Sequence, residues 1–269
     1  MGDEQPSGAA AGRVAAFFDL DKTIIATTSS AAFSRPFYEG GLISRRDVVR
    51  GTIAQALYVL GRADAEQTER LRRHLSAMVT GWDVEQMSRI VNETVHEYVR
   101  PTVYAEALAL IDEHRAAGHD VVVVSASGEE IVRPIAAMLG ADHVVATRLE
   151  VVDGRYTGEI AYYAYGPEKA AAVRALADER GYDLEACHAY SDSVTDVPML
   201  EQVGKAAVVN PDRTLRRIAV ERGWDVLTFR RPVTLRPQLP PPRRTVPVLA
   251  AVAVGTALGI ALARRRRAA

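Results

Sequence analysis

A chain of 269 residues that is 48% apolar can bury one large core or two smaller ones, which excludes a disordered chain and a mini-protein. Its single cysteine, Cys187, cannot close an internal bridge, so a disulfide scaffold is excluded too. The net charge of -1 excludes a uniformly basic nucleic-acid binder, and no nucleic-acid partner is expected.

That average conceals two halves. Residues 230–269 hold nine Arg and no Asp, Glu or Lys, so their +9 leaves -10 for residues 1–229. Only Lys22, Lys169 and Lys205 are lysines, and a lysine kept in so Arg-rich a chain marks a place where chemistry asks for one.

Residues 1–12 are small and polar and read as a disordered lead-in, without the basic start and apolar run of a signal peptide. From Val14 strand-like and helix-like segments alternate. "VAAFF" (14–18), "DVVVVS" (120–125), "HVVAT" (143–147), "EACHAYS" (185–191) and "KAAVVN" (205–210) are buried-strand runs. Helices are predicted over 129–139, 167–180, 196–203 and 212–222, with Gly140, Gly181 and Gly223 at their C-terminal ends. Asp153-Gly154 between alternating runs predicts a hairpin. The fold class is therefore α/β, a Rossmann-like, mainly parallel sheet.

About eighty residues separate the first strand from the next crossover helix, where a dozen suffice. Helical patterns fill the gap. Ser44 and Asp47 open one helix over 44–60, Leu71, Leu75 and Met78 mark a second, and Asp83 caps a third bearing Met87, Ile90, Val91 and Tyr98. The organisation expected is a core of 13–26 and 101–229 with a helical cap inserted over 27–100.

The C-terminal part has a different character. Residues 230–245 form a linker rich in Pro and Arg, with five of the 13 prolines. Residues 246–263 run without a charge, and 264–269 are a basic tail. Eighteen residues of helix span about 27 Å, close to a hydrocarbon core of about 30 Å. A run of that length also suits a buried or interfacial helix, but the flanking arginines favour a transmembrane or membrane-associated one. The expected location is the cytoplasmic membrane, with the catalytic domain facing the cytoplasm. Gly255 and Gly259 form a GxxxG, too weak in an Ala-rich helix to assign an oligomeric state.

Chemistry concentrates at "FFDLDKT" (17–23), where an apolar strand stops at Asp19 and Asp21. Spaced i, i+2 in extended backbone, these carboxylates point to one side and repel each other unless a cation joins them. Ser125 ends a second strand, Lys169 opens a helix in "GPEKAAAV", and "YSDSVTD" brings Asp192 and Asp196 after another strand. All lie where parallel sheets bind ligands. Six scattered His without HxxxH or CxxC spacing give no case for zinc, and Cys187 and His188 read as core.

These four motifs resemble those of the haloacid-dehalogenase-like hydrolase superfamily, in its phosphoserine-phosphatase-like branch. The resemblance spans residues 17–196, and 208–224 is similar to the segment that follows. It implies a Mg2+-dependent phosphomonoester hydrolase with Asp19 as nucleophile and Asp21 as general acid and base. Ser125 and Lys169 would hold the phosphoryl group. Asp192 would join Asp19 and the Asp21 carbonyl around Mg2+, with Asp196 supporting the metal site.

The sequence departs from that branch in two places. No acid stands between Asp21 and Glu39 in "IIATTSSAAFSRPFYEGG", which counts against phosphoserine as substrate, and Thr195 replaces an Asn of motif four. The expected substrate is a small-molecule or lipid phosphomonoester. Arg35 and Tyr162, Tyr163 and Tyr165 read as surface and packing residues. The competing functions are a phosphotransferase or mutase and a catalytically idle, membrane-tethered interaction module.

Overall fold

The apolar run after Val14 becomes β1 (Ala15–Asp19), every residue of it buried, at the centre of the sheet. The structure is a computed structural model that describes residues 12–43, 78–230 and 232, all within the unit Met1–Thr234. The other strands are β2 (Asp120–Gly128), β3 (His143–Val152), β4 (Arg155–Tyr162), β5 (His188–Ser191), β6 (Lys205–Val209) and β7 (Asp225–Leu227). They form one sheet in the order β4-β3-β2-β1-β5-β6-β7, parallel throughout except for the β3–β4 pair. The chain winds outward from β1 on both sides, so a crevice opens at the carboxyl ends of β1 and β5.

Alternation along β1 makes two cores. Ala16 and Phe18 join a layer with α1 (Ser29–Ala32), α2 (Ser34–Glu39), α3 (Val84–Tyr98), α4 (Ala105–Ala116) and α5 (Glu129–Leu139). Ala15 and Phe17 face α6 (Pro167–Arg180), α7 (Val197–Leu200) and α8 (Arg213–Arg222). Each fully buried Phe contributes on the order of 1.5–3 kcal/mol, so a slip of one residue along β1 would exchange the contents of both layers.

The expected α/β architecture is present, with local differences. Strand β3 runs on to Val152 because the hairpin extends it, and Asp153 (φ 49°) and Gly154 (φ 74°) make the left-handed turn their sequence favours. Residues 185–187 are not strand: 184–186 form a turn, and Ala186 and Cys187 donate their N–H to Asp183 O. The predicted helix over 196–203 shrinks to α7, and β7 was not anticipated.

Between Ile25 and Val103 the described residues form no strand of the sheet, and these two residues bridge in antiparallel fashion. Ala26 N donates to Thr102 O (2.7 Å) and Tyr104 N to Ile24 O (2.9 Å). Asp83 caps α3 by accepting from Gln86 N at 3.0 Å, as its sequence predicts. The start of α3 is also joined to the β3–β4 hairpin. Gly81 N donates to Tyr156 O (2.8 Å), Tyr156 N to Trp82 O (3.1 Å) and Val84 N to Gly154 O (3.0 Å). The helices predicted over 44–60 and around Leu71 and Leu75 lie outside the described residues, as do the linker and tail of 233–269.

The expected place at the cytoplasmic membrane is corrected. Among the described residues no helix is long and apolar enough to cross a membrane. The longest of them, α3, has 15 residues and spans about 22 Å, against a hydrocarbon core of about 30 Å. The apolar run 246–263, on which that expectation rested, lies outside the described residues.

Candidate active site

Strand register brings the predicted residues together. Asp19 is level with Val124, so Ser125 sits one step further along β2, and Phe18 pairs with Tyr190, two residues before Asp192. Lys169 reaches the same point from the first turn of α6, whose Pro167 starts the helix after Gly166 at φ 55°. Its Nζ donates to Asp19 Oδ1 at 2.6 Å and to Asp196 Oδ2 at 2.8 Å. Asp19, Ser125, Lys169 and Asp196 are all buried, and Asp21 and Asp192 are half-buried.

Four residues to which the sequence attached no role complete the arrangement. Thr23 Oγ1 donates to Asp19 Oδ2 (3.1 Å) and accepts from Asp192 N (3.0 Å), tying the end of β1 to the loop after β5. Ser29 donates to Asp21 through its N–H (2.8 Å) and its hydroxyl (3.3 Å), and Ser127 does so through its hydroxyl (3.3 Å). Ser191 Oγ donates to Asp196 Oδ2 at 2.7 Å. Ser125 Oγ accepts from Ser127 N at 3.2 Å, which leaves its proton for another acceptor.

Three carboxylates, Asp19, Asp192 and Asp196, thus surround the Lys169 ammonium, and Lys22 draws on Asp192 from outside this group. Burial pulls Lys169 down, but Asp19 and Asp196 outweigh it and hold the ammonium above the ordinary lysine range. The surplus negative charge falls on the acids. Burial pushes Asp19 up to about 8 against the pull of Lys169, with Asp196 and Asp192 adding to the rise. Asp192 is pushed up to about 6, again mainly by burial. Burial also raises Asp21, moderated by the hydrogen bonds from Ser29 and Ser127.

The donor set fits a hard divalent cation. The Asp192 carboxylate has no hydrogen-bonding partner among the described residues beyond its own backbone, and burial raises both Asp19 and Asp192, a shift that a bound cation would oppose. Asp196 is already engaged by Lys169 and Ser191.

The remaining sequence candidates stand apart. Arg35 is exposed and paired with Glu39 at 2.8 Å. Tyr163 and Tyr165 stack at 5.2 Å, and Tyr162 donates to Glu168 O. A surface groove of about 420 Å³ lined by Arg133, Arg148, Tyr162 and Glu168 contains none of Asp19, Asp21, Ser125, Lys169, Asp192 and Asp196, so chemistry and not concavity locates the site.

Residues 16–201 match the family of haloacid dehalogenase-like hydrolases. A probable phosphatase of Mycobacterium tuberculosis is 57% identical over 258 residues, 96% of this chain and 88% of that protein. A phosphoserine phosphatase of the same organism is 36% identical over 218 residues, 80% of this chain and 71% of that one. The crystal structure of a protein of unknown function from Bordetella pertussis Tohama I superposes with a TM-score of 0.70 at 29% identity. It covers 81% of this chain and 99% of that one.

Proposed function

Because this chain belongs to the haloacid dehalogenase-like hydrolase family, in its phosphoserine-phosphatase-like branch, and is a phosphatase, we propose that it hydrolyses small phosphomonoesters through an aspartyl-phosphate on Asp19. One observation carries this reading: a buried carboxylate at the end of the central strand, gripped by Lys169 at 2.6 Å and beside Asp192, whose carboxylate accepts no side-chain hydrogen bond among the described residues.

Lys169 and Ser125 receive the phosphoryl oxygens, the first as a fixed charge and the second as a hydroxyl donor. An Asp19 oxygen attacks phosphorus in line, and the bond to the alcohol breaks. Asp21, whose carboxyl burial raises above its ordinary value, gives its proton to the departing oxygen. Its carboxylate then takes a proton from the water that attacks the aspartyl-phosphate, which frees phosphate and restores Asp19. Ser29 and Ser127 position Asp21 for both transfers. The residues that would hold Mg2+ are Asp19, Asp192 and the Asp21 carbonyl, with Asp196 supporting through Lys169. When bound, the cation supplies the positive charge that keeps Asp19 ionised and offsets that of the phosphoryl group. The helices inserted between Ile25 and Val103 act as a cap that selects the alcohol. No acid stands between Asp21 and Glu39, and Glu39 is paired with Arg35, so this segment is not built to meet an ammonium.

The full chain, supplied with Mg2+, is expected to hydrolyse p-nitrophenyl phosphate. Asp21→Asn separates the two half-reactions, because p-nitrophenolate leaves without a proton while the water still needs a base. Stopped-flow absorbance should show a burst close to one equivalent and then turnover slowed about 10²–10⁴-fold. A slowed rate without a burst would place Asp21 outside the second step.

Mg2+ affinity should climb with pH. Asp19 near 8 and Asp192 near 6 bind protons that the cation must displace. Below each of these values, affinity falls up to about tenfold per pH unit per group. Calorimetric titration between pH 5 and pH 8 should therefore show a rise of about 100-fold or more. A flat profile would mean that the acids are not the ligands.

A further inference from the structure

At the opposite, N-terminal edge of the sheet, three histidines converge from separate parts of the chain. His114 lies in the last turn of α4, His119 just before β2, and His188 at the start of β5. Each offers a ring nitrogen, and these nitrogens all lie within 4.8 Å of one another. His114 Nδ1 stands 2.9 Å from His119 Nδ1, and the ring of His188 packs edge-on against His114 with centroids 4.5 Å apart. Such a cluster is not needed for packing, because an apolar residue would fill the same space without burying polar nitrogens.

We propose that His114, His119 and His188 bind a d-block dication of the Zn2+ type, with Tyr190 as the positioning residue for His114.

The geometry favours a metal in three ways. Ring nitrogens bound to Zn2+ at about 2.0–2.1 Å in a tetrahedral array lie about 3.3 Å apart, so one pair is already at hand and the third ring has little distance to travel. Tyr190 OH lies 2.8 Å from His114 Nε2. With Nδ1 on the metal, Nε2–H donates to that hydroxyl, the outer partner that metal-bound imidazoles usually have. His114 is buried while His119 and His188 are half-buried, which leaves a solvent side for entry and for a water as fourth ligand.

The surroundings are mixed in charge. Lys205 acts on His114 and His188, while Glu113 and Asp225 act on Tyr190. Burial comes first for both; His188, His119 and Lys205 then add to it at His114, and Lys205 and His119 at His188, so that both are pushed down to about 4 and present lone pairs at neutral pH. Occupancy would pin the end of α4 to β5. Tyr190 stacks on Phe18 at 4.5 Å, so the pin would grip the two strands that lead to Asp19 and Asp192.

The test uses the full chain, stripped with chelator and then saturated with Mg2+ to occupy the carboxylates, and titrates Zn2+ by calorimetry. Wild type should bind one equivalent. His119→Ala and His188→Gln should each weaken that binding by about 100-fold or more, since loss of an outer partner alone costs 10–100-fold. Asp19→Asn should bind Zn2+ as wild type does. Co2+ as a second probe should give visible absorption bands of four-coordinate type that vanish in His119→Ala, with circular dichroism verifying the fold of each variant. No Zn2+ binding by wild type, equal affinity in the histidine variants, or loss confined to Asp19→Asn would each overturn the proposal.

Discussion

Replacing Asp19 with Asn is expected to lower kcat/KM for p-nitrophenyl phosphate by about 10⁴-fold or more while leaving the protein as stable as before or more so. The catalytic loss follows because the amide keeps the shape of the side chain but cannot form the aspartyl-phosphate. The stability result has a separate cause. Asp19 is buried and pushed up to about 8, so its ionised form costs free energy in the metal-free protein above the unfolded carboxyl value. A raised carboxyl pKa means that the folded state holds a proton the unfolded chain has released. Its destabilisation therefore grows as pH rises from about 4 towards 8, and Asn removes it. Unfolding in denaturant at pH 8 without Mg2+ should show the variant equal to or above wild type. Activity within tenfold of wild type would exclude Asp19 as the nucleophile.

Lys169→Met should do the opposite to stability and the same to activity. The ammonium holds Asp19 at 2.6 Å and Asp196 at 2.8 Å, and both carboxylates are buried. Its removal leaves two buried acids facing each other, a change that costs about 3–5 kcal/mol for a broken buried pair. The acids can escape part of that cost by binding protons. The loss should therefore be smaller at pH 5 than at pH 8, which urea unfolding at the two values would measure. Removal of one fixed donor to the phosphoryl group should lower kcat by about 10²–10³-fold. Full stability with activity lost would mean that Lys169 serves substrate alone. Stability lost with activity retained would make it a structural cation.

The contrast between these variants reflects what could be read from residue order. Asp19 and Asp21 were legible because an apolar run ends on them, and Lys169 because so few lysines interrupt an arginine-rich chain. Asp153-Gly154 announced its turn through backbone preference, and Asp83 its cap. What residue order could not show is contact between distant hydroxyls and acids. Thr23 meets Asp192 across 169 positions and Ser127 meets Asp21 across 106, and serine and threonine are too common for spacing to single them out. The histidine cluster escaped for the same reason, since His114 and His188 meet only through the stacking of α4 on the sheet. Strand β7 has three residues, too few to establish a period of two. The membrane expectation came from composition outside the folded pattern, and no helix among the described residues supports it.

The ladder between the β3–β4 hairpin and the start of α3 bears on how such a protein can diversify. Gly81, Trp82 and Val84 share backbone hydrogen bonds with Gly154 and Tyr156, and the Tyr156 side chain lies in the core layer it joins. The inserted helices are therefore riveted to the sheet margin as well as to their own entry and exit at Ile25 and Val103. In the proposed role of these helices as the cap that selects the alcohol, an inherited change that remodels them would strain the margin of the sheet. Drift in specificity would then be filtered first by foldability, and new substrates would be most accessible through side chains that leave those rivets intact.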